Sequence, residues 1–304
     1  VYTEDDVFIT AANTDKVTAR NVTNSIEVAQ EETVDSIRKY APKVFAMQNR
    51  LVTVNDYEAF LYKNFNGFIK SVKAIPNDEY TATVLKYYYD IGLNTPSSDN
   101  RVLFNQVKYS NSTTFNNVNL FVVPKNTILD ETLPNYLNST QKQLILNECN
   151  RIKDITHNVT FGDPIYKAFS LGLIRSNELP TLSLSSVTRL VLFKNRNNSI
   201  NLITLKQSVQ NIFREAFAKL DLGSVVNLNE ISNQILNLNG VEGLATRRID
   251  TGQQIPLISC LVWNPLYTVE DITTTTQNYK LGNFQYAYFH NISQLSNNIL
   301  IENL

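Results

Sequence analysis

The spacing of apolar positions changes period several times along the chain, and each change marks an element. In the segment 31–41, EETVDSIRKYA, Val34, Ile37 and Ala41 fall at i, i+3 and i+7, one face of a helix, and acids in the first turn favour its N-terminal dipole. Pro42 is expected to end that helix, because the residue before a proline is pushed out of the α region. A second helix is expected after Thr53. Its side chain can cap a free backbone N–H while Asp56, three residues on, supplies the reciprocal partner of a capping box. Tyr57, Phe60, Leu61 and Phe65 then recur at i, i+3, i+4 and i+8, a stripe facing a core.

From Gly67 the period shortens. GFIKSVKAI alternates up to Pro76, TATVLKYYYDIGL (81–93) follows as a second strand, and polar residues 94–116 read as a long loop before the apolar strand VNLFVVP. STQKQLILNECNRIKDIT is a helix on Leu144, Ile145, Cys149 and Ile152, and VTFGDPIYKAFSLGLI returns to strand. Residues 176–186 break the pattern before the strand TRLVLFKN. The helical period is clearest over 203–220, where Val209, Ile212, Phe213, Ala216, Phe217 and Leu220 share a face. A short strand follows, then a helix carrying Ile231, Ile235 and Leu238 with Gly240 as its left-handed stop, then strands in VEGLATRRID and IPLISCLVW. The first 25 residues are polar, with VFIT as their only strand candidate.

This order predicts an α+β fold of two or more small α+β domains, with mixed or antiparallel sheets and packed helices, plus an aromatic-rich C-terminal extension. The expected division is an N-terminal segment 1–65 holding two helices around an Ala-Pro corner, an α+β domain over 66–176, a second over 177–263, and the extension 264–304. The tail NYKLGNFQYAYFHNI reads as a surface that docks, which makes Phe284, Tyr286, Tyr288 and Phe289 candidate residues for self-association. The alternative is that the tail packs on its own domain.

Composition narrows the function classes. The chain has 304 residues, 43% hydrophobic and 18% charged, enough to bury a sizeable core. A net charge of −1 gives no reason to expect a nucleic acid or an anionic membrane as partner. No apolar run of 18 residues and no basic-then-apolar leader is present, so neither a membrane span nor secretion is expected. A start at Val1 and a single methionine, Met47, suggest a piece of something longer. Cys149 and Cys260 are expected to be reduced, buried thiols.

Candidate chemistry is sparse. His157 and His290 stand in unrelated contexts, no CxxC or HExxH spacing occurs, and the nine glycines form no phosphate cradle. No GxSxG elbow appears. The carboxylates Asp5–Asp6, Glu31–Glu32 and Asp154 with Asp163 are better explained as solvated loops or helix starts than as a glycosidase pair. Arg247 and Arg248, adjacent on a strand, read as a surface or interface pair. No cofactor, metal or small-molecule substrate is expected, and by elimination function lies in surfaces. Arg50 is expected to pair with Asp56 or Glu58 across the loop–helix corner, the alternative being an exposed arginine with nothing to lose.

The segment EETVDSIRKYAPKVFAMQNRLVTVNDYEAFL resembles the signature of the baseplate J-like family of contractile-tailed phages and related injection machines. That pattern is a helix with an acid near its start and an arginine, an Ala-Pro, a phenylalanine, a polar linker, and an arginine leading into VT-x-x-DYE. Glu32, Ile37, Arg38, Ala41, Pro42, Phe45, Gln48, Arg50, Val52, Thr53, Asp56, Tyr57 and Glu58 occupy the matching positions. The segment FREAFAKLDLGSVVNLNEISNQILNLNGVEGL is similar to the family's closing pattern of a long helix, a strand after LG, a capped helix, and a strand entered through GV. The resemblance spans roughly residues 22–250. Two departures are the segment VTNSIEVAQEE, where the family often has a Gly-Gly-acid run, and the long tail after residue 260. Both suggest a divergent, larger member, most like the C-terminal half of the wedge subunits of T-even-type phages.

The resemblance implies a structural, non-enzymatic baseplate protein. It would be carried in the virion after assembly in the host cytoplasm, pair with itself as a homodimer, and bind neighbouring wedge proteins in a ring that rearranges when the sheath contracts. Arg38, Pro42, Arg50, Thr53, Asp56 and Tyr57 would form its structural corner. The competing classes are a tail-associated cell-wall hydrolase and a receptor-binding module.

Overall fold

The computed structural model describes residues 7–8, 17–18, 34–80, 116–125, 135–171, 188–194, 201–248, 251–265 and 273–303. The expected strand over 81–93, the loop after it and the break at 176–186 lie outside the described residues, 116 apart. A short antiparallel pair, β1 (Val7–Phe8) with β2 (Val17–Thr18), precedes the first helix. The rest is α+β, as the sequence pattern predicts, and it is organised by two large apolar cores joined by a third, smaller one.

The first core lies between helices α1 (Val34–Met47), α2 (Val54–Phe65) and α3 (Ser139–Ile152) and the sheet β3 (Ile69–Pro76), β4 (Asn117–Pro124) and β5 (Asn158–Gly162). Strands β3 and β4 run antiparallel, and β5 joins β4 in parallel. The α2 stripe packs inward as its spacing predicts: Tyr57, Phe60, Leu61 and Phe65 are all buried. Helix α3 begins with a second capping box, Asn138 with Gln141, in which each side chain accepts from the other residue's backbone N–H.

Pro42 does not end α1, contrary to the expectation. The helix runs through it for five more residues to Met47. Proline removes the bond to the Arg38 carbonyl and crowds the preceding turn. Continuation is favoured because the following turn seats Val44 and Met47 on the first core. The actual stop is the pair Gln48 and Asn49, both left-handed at φ 50° and 58°, after which Arg50 N–H bonds the Met47 carbonyl.

The second core lies between α4 (Leu202–Ala218), α5 (Leu228–Leu236) and two four-stranded mixed sheets. One sheet has the order β10 (Gln254–Pro256), β9 (Val241–Arg248), β7 (Thr188–Lys194), β15 (Ile299–Asn303). The other has β12 (Thr273–Thr275), β11 (Cys260–Trp263), β6 (Ile165–Ser170), β14 (Gln285–Phe289). Two short strands, β8 (Val225–Val226) and β13 (Tyr279–Lys280), pair beside them. Gly240, at φ 86°, lies beyond the Asn237 cap of α5 and makes the turn into β9.

Strand β6 contributes Phe169 to the second core, and α1 and α2 share the first core with β3–β5. The C-terminal extension is woven in: β14 lies parallel to β6, and β15 parallel to β7.

A candidate assembly surface around the α1–α2 corner

Between α1 and α2 the chain makes a corner whose inner side is heavily bonded. Leu51 is fully buried and forms a parallel bridge to Lys153, just after α3, with Asp154 N–H donating to the Leu51 carbonyl at 3.4 Å. Thr53 caps α2: its Oγ1 accepts from Asp56 N–H at 3.3 Å, and Asp56 Oδ2 accepts from the N–H groups of Thr53 at 2.7 Å and Val52 at 3.2 Å. Three backbone donors at the helix start are thereby satisfied.

Tyr57 and Glu58 carry the corner into the core. The Tyr57 ring is fully buried, and its hydroxyl and His157 Nδ1 share a hydrogen bond at 3.0 Å. Burial pushes the Tyr57 phenol far above its ordinary range, so it stays protonated at physiological pH. Glu58 is buried and lies between two lysines, with Lys43 Nζ of α1 at 3.6 Å and Lys73 Nζ of β3 at 3.4 Å, and it accepts from Ala74 N–H at 3.3 Å. One carboxylate therefore ties α1, α2 and β3 together. Removing it would leave two cations beside a dry core, whereas its net contribution as a pair is modest.

The expected Arg50 pairing is not made. Arg50 is exposed, and among the described residues no ion pair joins it to Asp56 or Glu58. Both carboxylates are occupied, Asp56 by backbone donors and Glu58 by lysines, so the cations that sequence reasoning missed are Lys43 and Lys73. Their spacing from Glu58 in the chain carried no signal of contact.

The inner side of α1 also reaches the turn after α4. Tyr40 stacks on Tyr62 with ring centroids 3.9 Å apart, and Tyr62 Oη accepts from Val72 N–H at 3.1 Å. Burial holds the Tyr40 phenol up at about 12. Lys39 forms an ion pair with Asp221, in the turn after α4. Beside it, Leu222 N–H donates to the buried Ser71 Oγ at 3.0 Å.

The outer side of α1 is different. Val34 is 63% exposed, Ile37 46% and Phe45 85%, and Arg38, Ala41 and Pro42 are exposed with them. At 100° per residue, Val34, Ile37, Arg38, Ala41 and Phe45 fall on one stripe. Val52, on the corner, is 51% exposed. The helical face seen in the sequence is thus real and faces solvent.

The aromatic tail has the opposite fate. Phe284, Tyr286 and Phe289 are buried, and Tyr288 is half-buried. Phe284 stacks on Phe121 with centroids 5.1 Å apart and planes 21° from parallel, while Tyr286 meets Tyr166 edge-on at 5.8 Å. With Ile75, Val123 and Leu222 they form the third core, a seam between the first two. Lys70 Nζ lies 5.2 Å from the Tyr286 ring centre, and desolvation lowers its pKa. Phe289 enters the second core against Phe213 and Phe217. The exposed patch expected here is replaced by packing, because parallel pairing with β6 places β14 between the cores.

The remaining chemical candidates stay apart. Cys149 and Cys260 are free and buried, and burial pushes both thiols up to about 12, so neither is a nucleophile near neutrality. Asp163 pairs with Lys142 at 2.9 Å, whereas Asp154 accepts from the Thr156 N–H and hydroxyl, which lowers its pKa. Arg247 makes a two-pronged contact with Glu302 at 2.5 and 2.8 Å, tying β9 to β15. Among the described residues no group of three or more His, Cys, Asp or Glu could hold a metal ion, and no helix is long and apolar enough to cross a membrane.

No protein-family model matches the chain, and no curated protein matches it. Among solved structures it is similar to a chain of the six-fold-symmetrised cryo-EM structure of the anti-feeding prophage baseplate, at 12% sequence identity and a TM-score of 0.42. The match covers 86% of this chain and 42% of that one, so this chain corresponds to less than half of that neighbour's length.

Proposed function

We propose that this chain is a structural wedge protein of a contractile-tail baseplate, which associates with itself and with neighbouring wedge proteins in a ring that rearranges on sheath contraction. It acts through surfaces and not through a reaction, without cofactor, nucleic acid or small-molecule substrate, and it is assembled in the host cytoplasm and carried in the virion. The observation that carries this reading is the division of labour within the baseplate J-like signature. Thr53 and Asp56 cap the second helix, Tyr57 and Glu58 turn inward, and together they support the angle between the two helices. Ile37, Arg38, Ala41, Phe45 and Val52 are left on the outside. A rigid corner that holds an apolar, cationic face toward solvent suits a subunit whose neighbours cover that face on assembly.

The test is to tag this chain in the tail particle that carries it and image the particle at low resolution. The tag is expected in the inner ring of the baseplate. A tag at a fibre tip would overturn the reading in favour of a receptor-binding module, and clearing of purified peptidoglycan by the chain would overturn it in favour of a hydrolase.

A further inference from the structure

The sheet β10–β9–β7–β15 has two unlike faces. Along β7, Leu190 and Leu192 enter the second core, so Arg189, Val191 and Phe193 alternate onto the other face. Arg247 of β9 lies directly opposite Arg189, and like charges so placed repel. Arg247 is drawn away by Glu302 of β15. Because β7 lies between β9 and β15, that ion pair crosses it, and the registers carry the crossing over Val191. Val191 is accordingly fully buried although it belongs to none of the apolar cores. Arg189 is left over. Its side chain is half-buried, its Nε is shut off from solvent with no hydrogen-bond acceptor, and among the described residues no carboxylate pairs with its guanidinium. A buried donor without an acceptor destabilises the chain that carries it. Around Arg189 the face stays open: Phe193 and Leu300 are half-buried, and Gln254 and Pro256 are exposed.

We propose that this outer sheet face docks a segment of another baseplate protein that carries an Asp or Glu beside apolar residues, with its carboxylate paired to Arg189. This rests on the baseplate role proposed above and names one partner surface within it. Charge complementarity selects the occupant. Glu302 on the same face is already held by Arg247, so the cation still to be matched is Arg189. No hydrogen bond holds the Arg189 side chain in place, so it can swing to a carboxylate that accepts from Nε and a terminal nitrogen together. Phe193, Leu300 and Pro256 supply the apolar surface beside that contact, and arginine and aromatic side chains are the types enriched where proteins meet. A nucleic-acid backbone fits less well, because Glu302 stands on this face and the net charge of the chain is −1. Pairing the face with its own two-fold mate would set arginine against arginine.

Two variants of the whole chain test the proposal, each measured alone and in the tail particle that carries the chain. Arg189→Met removes the unmatched donor, so the isolated variant is expected to melt at or above the wild-type temperature. Its incorporation into the particle is expected to fall about tenfold or more, because the partner's carboxylate is left without its cation. Arg189→Lys keeps the cation and adds an amine that a carbodiimide couples to a carboxylate in contact with it. Mass spectrometry of treated particles is expected to find position 189 joined to an Asp or Glu of a different protein. A lower melting temperature for Arg189→Met would make Arg189 a structural residue and overturn the proposal. Undiminished incorporation of that variant would overturn it too. So would a particle in which position 189 of Arg189→Lys is joined to nothing, to Glu302 of its own chain, or to a second copy. Absence of the wild-type chain from the baseplate is the separate result that would overturn the function proposed above.

Discussion

Helix α1 and strand β14 both carry a conspicuous apolar pattern, and the fold uses them in opposite ways. The α1 stripe of Val34, Ile37, Ala41 and Phe45 has the period of a core-facing helix yet lies in solvent. The β14 region, with Phe284, Tyr286 and Phe289, resembles a sticky tail yet lies between the cores. Periodicity reports that a face exists; what covers it is decided by partners elsewhere in the chain. For β14 that partner is β6, more than a hundred residues earlier, whose five paired positions draw the tail inward. For α1 the inner face is already taken by Tyr62, Glu58 and Asp221. The remaining apolar side has nothing of its own chain to meet among the described residues.

The comparison can be broken at several points, beginning with the largest effect. Raising the pH should attack both cores and the inner face of α1 together. Cys149 and Cys260 rise from 9.0, and Tyr40 from 10.0, to about 12 in the folded chain. A folded pKa above the unfolded one means stability that is complete below pH 9 and is lost as pH rises through 12. Circular dichroism across that window should show cooperative loss of structure, with thiol labelling following unfolding and not preceding it.

Phe284→Ala should come next. It removes the ring stacked on Phe121 and opens the seam, at a cost of about 3–4 kcal/mol in urea unfolding. A cost near zero would return the tail to the surface. The same stack is probed from its other side by Gly162→Ala. A Cβ there would run into the Phe121 ring, and Phe121 is held between Phe284 and Tyr80 and cannot simply swing away. About 1–3 kcal/mol of overpacking is expected. The corner should be less sensitive: Thr53→Ala deletes one half of the capping box and should cost about 1 kcal/mol, with Thr53→Ser retaining most of it.

Local features of the corner were legible from the sequence because their causes are local. The Thr53–Asp56 box follows from a three-residue spacing, and the same rule applied to Asn138 and Gln141 would have found the cap of α3. Pro42 misled because a local steric rule was outweighed by the anchoring of Val44 and Met47 one turn later. The lysines at Glu58, the His157 partner of Tyr57 and the β6–β14 pairing all join residues distant in sequence. No spacing rule reaches that far.

That the α1 face lies outside and the β14 aromatics lie inside can be tested by hydroxyl-radical footprinting of the chain, dilute and at high concentration. The account predicts that Phe45 oxidises nearly as fast as a free phenylalanine in dilute solution and becomes protected on association, while Phe284 and Tyr286 are protected throughout. Fast oxidation of Phe284 and Tyr286 in the dilute protein, with Phe45 already protected there, would contradict it.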